Sequence, residues 1–366
     1  MTKIDFRALL LAAGACSFLI APSAGQTSTE KEARAMLQQL VETPGVSFHE
    51  GKVLDRIREM LPLGVPSAVD DMNNLVVTIG PGKPEIMFVA HMDEIGLEVT
   101  EITSDGRLKT RTRGGSFSTV WEGKVVKIYT GRGVADGVVE PRKSYRDPSP
   151  QPHSAEDLVV YVGAGSKAAA EERGFRPGDF ITAPKRMTPL GPYKLAAPST
   201  DDRAGCTAQL LALRRLAGRR LARTVAFAWV VQEETGLSGS RHLSKTYAPR
   251  YVFAVDTFVS SDAPFDPQNI GYAPQGRGAV LRVFDSSNIT PADTYMKVRR
   301  LAETRKIPVQ WSITSGGNDG SVFLQEGSID MPLSWPGIYS HSNISVVDVR
   351  DLLALTDLIG AIADAF

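Results

Sequence analysis

Hydrophobic and polar positions alternate in two different ways along this chain. Between residues 26 and 62 the apolar positions recur at helical spacing. EKEARAMLQQLVETPG stops at Pro44-Gly45 and EGKVLDRIREMLP stops at Pro62, which predicts two helices. Residues 86–90 and 226–231 are instead unbroken apolar runs. Runs of that length, bounded by turn signals, predict strands buried on both faces, as in a parallel sheet. Both are followed at once by groups that are costly to bury without a partner: His91 and Asp93 after the first, Glu233 and Glu234 after the second. A third strand, YVFAVDT, is expected to end on Asp256. From 195 onward the pattern is α/β. PSTDDRAGCTAQLLALRRLAG predicts a loop and then a helix with one apolar face, and a short helix is expected around SGSRHLSKTY. TPADTYMKVRRLAETRKI predicts an amphipathic helix with proline at its first position. VQWSITSG, NDGSVFLQEG and DMPLSWPGIYSH predict strand, short helix and strand, and SVVDVRDLLALTDLIGAIADAF a long closing helix.

The stretch 101–193 reads differently. KVVKIYTG, GVADGVV, DLVVYVGA and GDFITAP are short strand-like pieces separated by turns rich in Gly, Pro and Asp, with one helical piece, SKAAAEERGF. Short strands at close spacing predict a small β-barrel or sandwich. The expected organisation is therefore a discontinuous α/β domain, 26–100 and 194–366, with 101–193 inserted. The insert carries a proline-rich loop, EPRKSYRDPSPQPHS.

Composition narrows this picture. With 366 residues, 42% hydrophobic and 22% charged, the chain has the makeup of a soluble protein of about two domains. Its 41 basic and 41 acidic residues balance, which gives no support to nucleic-acid or polybasic membrane binding. Residues 1–25 have the basic, apolar and small-residue regions of a cleaved signal peptide, with cleavage expected near Ala24 or Gly25. A periplasmic or secreted location follows, with no membrane contact after cleavage. Only Cys206 then remains, so no intrachain disulfide forms; its apolar helical context marks it as a packing residue. His49, His153 and His242 are read as structural or surface residues.

The remaining polar groups collect at strand ends and adjoining loops: His91 with Asp93, Asp201 with Asp202, Glu233 with Glu234, Asp256, and His341. If these strands are parallel neighbours, their carboxyl ends open on one edge of the sheet, where α/β folds bind ligands. Histidines and carboxylates converging there match a two-metal site with nitrogen and oxygen ligands, one carboxylate bridging. Asp93, two residues after His91, is placed to orient that imidazole. Taken singly each group has an ordinary reading. Asp-Asp before a helix is commonly an N-cap, and His341 between serines an exposed loop residue.

The motifs VAHMDEIG, DDRAG, VQEETGLSGS, AVDT, GGNDG and YSHSNISVVDVRDL occur in an order that resembles the glutamyl/deblocking metallo-aminopeptidases of the TET type, over residues 32–366. The resemblance implies a zinc-exopeptidase-like αβα sandwich with a mixed central sheet and an inserted β-barrel domain. It implies two divalent metal ions, Zn²⁺ first and Co²⁺ as the alternative. Asp201 would bridge them and be joined to Asp202 by a cis peptide bond; His91 and Asp256 would complete one ion, Glu234 and His341 the other. Glu233 would be the general base and Asp93 its catalytic companion. The implied activity is removal of N-terminal residues from peptide substrates, by a homo-oligomer assembled through the insert. The family's usual GTDA is GNDG at 317–320 here. Amide deacylation or carboxypeptidase-type cleavage on the same metals is the alternative chemistry, and an exported peptide-binding protein with a relic site the alternative class. When the full chain is produced in a bacterial host, the mature protein should be recovered outside the cytoplasm. N-terminal sequencing should then read a start near Ala24 or Gly25.

Overall fold

The unbroken apolar runs lie at the centre of a nine-stranded sheet. In this computed structural model, residues 26–142, 146, 158–263, 266 and 270–366 are described. The signal segment 1–25, His153 and most of the proline-rich loop lie outside the described residues.

Helices α1 (Ser28–Val41) and α2 (Gly51–Met60) precede strands β1 (Ser67–Val69), β2 (Leu75–Ile79) and β3 (Ile86–His91). The next strands are β4 (Gly96–Ile102), β5 (Leu108–Arg113), β6 (Val125–Thr130), β7 (Gly133–Val139), β8 (Val159–Tyr161) and β9 (Phe180–Thr182), with short helices α3 (Ser118–Trp121) and α4 (Lys167–Glu172). Strands β10 (Thr188–Leu190) and β11 (Lys194–Ala197) lead to α5 (Thr200–Leu216), β12 (Val225–Val230), α6 (Ser238–Ser244), β13 (Tyr251–Val259) and β14 (Ala279–Phe284). Helix α7 (Ala292–Arg305), β15 (Val309–Ile313), a 3-10 stretch over Asp319–Glu326, β16 (Ile329–Asp330), β17 (Leu333–Gly337), β18 (Ser345–Asp348) and α8 (Val349–Ala365) follow.

The large sheet runs β1-β2-β12-β3-β13-β17-β14-β15, with β16 beside β13. Strands β12, β3, β13 and β17 are parallel neighbours, whereas β2 joins β12 and β14 joins β17 antiparallel, so the sheet is mixed. Alternation along each strand explains why these runs must be apolar throughout. Phe88, Ala90, Phe227, Trp229 and Phe253 belong to the core shared with α1, α5 and α8. Met87, Val89, Ala226, Ala228, Val230 and Val252 pack on the opposite face, against Leu243 of α6 and Phe323 of the 3-10 stretch. Phe88 stacks between Phe227 and Phe253, with ring centroids 5.3 and 5.4 Å away.

Three local expectations change. Helix α5 is buried on nearly every side rather than on one face, because it lies between the sheet and the outer helices α1 and α8. The closing helix begins only at Val349: Ser345–Asp348 is a strand paired with β11, and Asp348 then caps α8 by accepting the Arg350 N–H. Branched Val346 and Val347 suit that strand. The insert is a closed barrel in the order β4-β5-β8-β7-β6-β9, spanning Gly96 to Thr182. The position 101 drawn from the sequence falls inside β4, because only Met92–Ile95 separate β3 from the barrel and no turn cluster marks the join. The stretch before 193 leaves the barrel early, since β10 pairs with β11, and β11 with β18, in a separate three-stranded sheet.

The barrel has its own core around Trp121, Ile128, Val160 and Phe175. A buried ionic cluster ties it to the sheet. Lys185, just after the barrel, donates to both Glu94 oxygens (2.9 and 2.7 Å) and to Ser199 Oγ (2.7 Å). Arg203, with no exposed surface, donates to the carbonyls of Met92, Leu40, Thr43 and Gly45. These bonds fasten the segments before and after the site residues. Phe88→Ala, which empties the ring stack at the sheet centre, should cost about 3–5 kcal/mol by urea unfolding.

Candidate metal centre

Register places the site. His91 ends β3 opposite Val230, the last residue of β12, so Glu233 and Glu234 lie just beyond it on the same sheet edge. Asn74 fixes the turn that carries them. Its side chain accepts the Val231 N–H (3.1 Å) and donates to the Gly239 carbonyl (3.0 Å). A Cβ at Gly239 would lie 2.4 Å from the Val231 carbonyl oxygen, so only glycine permits this close return of the chain.

Asp93 lies beneath the glutamates, fully buried. Its carboxylate accepts the backbone N–H groups of Glu233 (3.0 Å) and Glu234 (3.2 Å) and the Ser47 hydroxyl (2.6 Å). His91 Nδ1 donates to the Asp93 carbonyl oxygen at 3.1 Å, with the carboxylate at 3.5 Å. Asp93 therefore orients the imidazole through its backbone and the glutamate pair through its side chain. The second task is invisible in sequence spacing, because it joins residues 140 positions apart.

Asp201 and Asp202 diverge at the entry to α5, across a cis peptide bond. Asp202 turns inward and accepts the Gly205 N–H (3.0 Å) and the Trp335 indole N–H (3.1 Å). Asp201 turns to the site. Its Oδ1 is 3.3 Å from His91 Nε2, and its Oδ2 is 3.6 Å from His341 Nε2. Ser340 also donates to Oδ2, at 2.9 Å. Each oxygen of one carboxylate thus faces a different imidazole. On the His91 side, Asp256 Oδ1 lies 3.9 Å from Nε2. On the other, Glu234 Oε2 lies 3.5 Å from His341 Nε2. Asp256 is not the end of its strand: β13 continues to Val259, and Asp256 projects from a register position paired with Ser334.

Among the described residues, candidate ligand atoms come together in three sets, each within 4.8 Å: His91, Asp201 and Asp256; Asp201, Glu234 and His341; and His91, Glu233 and Glu234. The first two share Asp201. His49 stacks on Phe180 in the barrel, 4.5 Å between centroids, and His242 lies 3.9 Å from Asp70; neither belongs to these sets.

The electrostatics suit cations. Burial pushes the Glu234 carboxyl up to about 7, with His341 opposing and Asp201 adding to the shift. Burial likewise raises Asp256 to about 6 against the pull of Arg282, and lifts Glu233 well above the usual carboxylate range. Asp319, from the GNDG motif, is also raised by burial to about 7, and its charge acts on Glu233. Burial opposes ionisation of Asp93 and Asp201 too, but their bonds to His91 hold both below the ordinary value. Acids crowded in this way, with imidazole nitrogens among them, fit divalent ions of borderline hardness.

Sequence reasoning missed Arg282. It is 2% exposed, lies 3.5 Å from Asp256 Oδ2, and donates to Ser334 Oγ (2.8 Å), the Gly317 carbonyl (2.9 Å) and the Thr257 carbonyl. The available signal is an arginine inside the apolar strand AVLRVF. It steadies Asp256 and one wall of a cleft of about 250 Å³ that contains Glu233 and extends past Thr257, Thr314 and Gly316.

A mixed sheet with helices on both faces, an inserted closed barrel and an acid–imidazole centre at the strand ends define a zinc-exopeptidase-like protein. The chain belongs to the M42 glutamyl aminopeptidase family, whose profile matches residues 73–358. It is similar to the lysyl aminopeptidase of Pyrococcus furiosus, 30% identical over 332 residues, covering 87% of this chain and 92% of the relative. The glutamyl aminopeptidase of Lactococcus lactis is 30% identical over 341 residues, covering 89% and 94%. Among solved structures, the TET1 peptidase of Pyrococcus horikoshii, which can assemble into a tetrahedron or a large octahedral shell, superposes with a TM-score of 0.83 at 34% identity, covering 93% of this chain and all of that one (100%). An aminopeptidase from Desulfurococcus kamchatkensis gives 0.86 at 27% identity, covering 92% and 96%. The chain is accordingly a peptide-bond hydrolase of the aminopeptidase type, in a family of dinuclear metal enzymes.

The raised carboxyls set a pH dependence. In metal-free protein Asp256 (about 6), Glu234 and Asp319 (both about 7) keep protons that the unfolded chain has already released. The folded state then binds more protons, so its stability falls as pH rises through that window. Thermal unfolding in EDTA should give a lower Tm at about pH 8 than at about pH 5, and added divalent metal should flatten the slope.

Proposed function

We propose that this chain is an exported aminopeptidase in which His91, Asp201 and Asp256 hold one divalent ion and Asp201, Glu234 and His341 the other, with Glu233 as general base. The observation that carries the reading is the Asp201 carboxylate, whose two oxygens face His91 and His341 separately. When bound, the two ions supply Lewis acidity, which polarises the scissile carbonyl and acidifies water. Zn²⁺ or Co²⁺ fits the donor set.

Glu233 lines the cleft beside these groups, and its raised proton affinity suits a residue that must take a proton and give it back. Its carboxylate receives a proton from the attacking water and delivers it to the departing amine. Asp93 acts earlier, holding the Glu233 N–H at 3.0 Å and so fixing where that carboxylate starts. Both the lysyl and glutamyl relatives carry aminopeptidase names, which supports a free N-terminal amine as the feature recognised.

Export rests on the composition of residues 1–25. Assembly into a homo-oligomer draws support from the Pyrococcus horikoshii peptidase, which can form such shells, and we place the contact on the barrel. Val125, Val134 and Tyr161, which are 52%, 59% and 45% exposed on barrel strands, offer apolar contact surface there.

Glu233→Gln should keep two metal ions per chain but lower kcat on aminoacyl anilides by about 10²–10⁴-fold. Near-wild-type turnover in the metal-loaded variant would remove the assigned base. Cleavage of N-acetylated peptides as fast as free ones would favour a deacylase or endo-acting enzyme.

A further inference from the structure

The two imidazoles at the centre are oriented by different parts of the chain. His91 finds its Nδ1 partner two residues along its own segment, the Asp93 carbonyl. His341 finds its partner in the barrel. Its side chain is 39% exposed, and Nδ1 donates to the Gly115 carbonyl at 2.7 Å. Gly115 lies in the loop that leaves β5, 226 positions away in sequence.

That loop reaches the centre through Gly114, where the approach is too close for a side chain. Gly114 has a φ of 85°, and a Cβ there would lie 2.8 Å from Ile95 Cγ2, 3.1 Å from Glu234 Cβ and 3.2 Å from Glu234 Oε2. A Cβ at Gly115 would meet His341 Nδ1 at 3.4 Å. The barrel backbone therefore lies against both Glu234 and His341. The loop is held from inside the barrel. Ser116 donates its N–H to the Gly114 carbonyl at 3.1 Å, and the buried Trp121 indole donates to Ser116 Oγ at 3.0 Å.

We propose that Gly115 is a positioning residue for His341, and that the inserted barrel thereby completes the Glu234–His341 side of the metal centre. A carbonyl can only accept, so it holds His341 with its proton on Nδ1 and leaves Nε2 free to ligate. Gly114 supplies the close approach, and Trp121 with Ser116 transmits the loop position from the barrel core. This inference rests on the reading of His341 as a ligand.

Isothermal calorimetry of Zn²⁺ binding to the metal-free full chain tests it, with circular dichroism as the check on folding. Gly114→Ala should weaken one of two binding events by about 10- to 100-fold and leave the other in place. Ser116→Ala should weaken the same event by a smaller factor. Wild-type affinity for both ions in a folded Gly114→Ala variant overturns the proposal. If that variant does not fold, nitrogen–proton correlation NMR of the metal-free wild type at alkaline pH decides. The Nδ1–H tautomer of His341 is expected, and the Nε2–H tautomer overturns the proposal. His341→Ala separates the two levels: retention of both binding events there removes the ligand reading itself, and this inference with it.

Discussion

Asp93, Asp201, Glu234 and Asp256 have side chains almost wholly withdrawn from water, and Glu233 lies beside them, partly buried. Carboxylates at such separations cannot all ionise without compensation, and leaving them protonated gives up much of their chemistry. Much of the surrounding structure works on this constraint. Asp93 is compensated by two backbone N–H groups and a hydroxyl. Asp256 has Arg282 alongside, and Asp202 is turned away to bond Gly205 and Trp335. Burial still raises the proton affinity of Glu233, Glu234 and Asp256, so the protein alone compensates these three carboxyls least.

The sheet makes this concentration tolerable. Four parallel neighbours, packed on both faces, bring their carboxyl ends to one edge without exposing their flanks. The stacked rings of Phe88, Phe227 and Phe253 belong to the strands that lead to His91, the glutamate pair and Asp256. Rigid packing there limits how far the acids can move apart to relieve repulsion. Arg203 and the Lys185–Glu94 pair extend the same restraint to the loops. The barrel is a further neighbour of the centre, since its glycine loop lies against Glu234 and His341.

Much of this was legible in the sequence because it follows from short-range pattern. Continuous apolar runs identify β3 and β12, and the polar residues ending them identify the site edge. The separation of Asp201 from Asp202, and of Glu233 from Glu234, was carried by resemblance to a family, since adjacent acids look alike to any pattern rule. Long-range contacts were not legible. Nothing near residue 282 announces a contact with Asp256, and nothing near Gly115 announces one with His341. The apolar residues of 345–348 continue the pattern of the closing helix, but pairing with β11 makes the run a strand. Domain edges blurred where the chain passes from β3 to β4 with only four residues between them.

The atoms of His91, Glu233 and Glu234 also lie within 4.8 Å of one another, as do those of the two sets that share Asp201. An ion held there would make Glu233 a ligand and leave the reaction without its assigned base. Anomalous diffraction from crystals of the zinc- or cobalt-loaded protein separates the arrangements directly. Two peaks flanking Asp201 are expected, one beside His91 and Asp256, the other beside Glu234 and His341, with Glu233 bound to neither. A single peak enclosed by His91, Glu233 and Glu234 would contradict it.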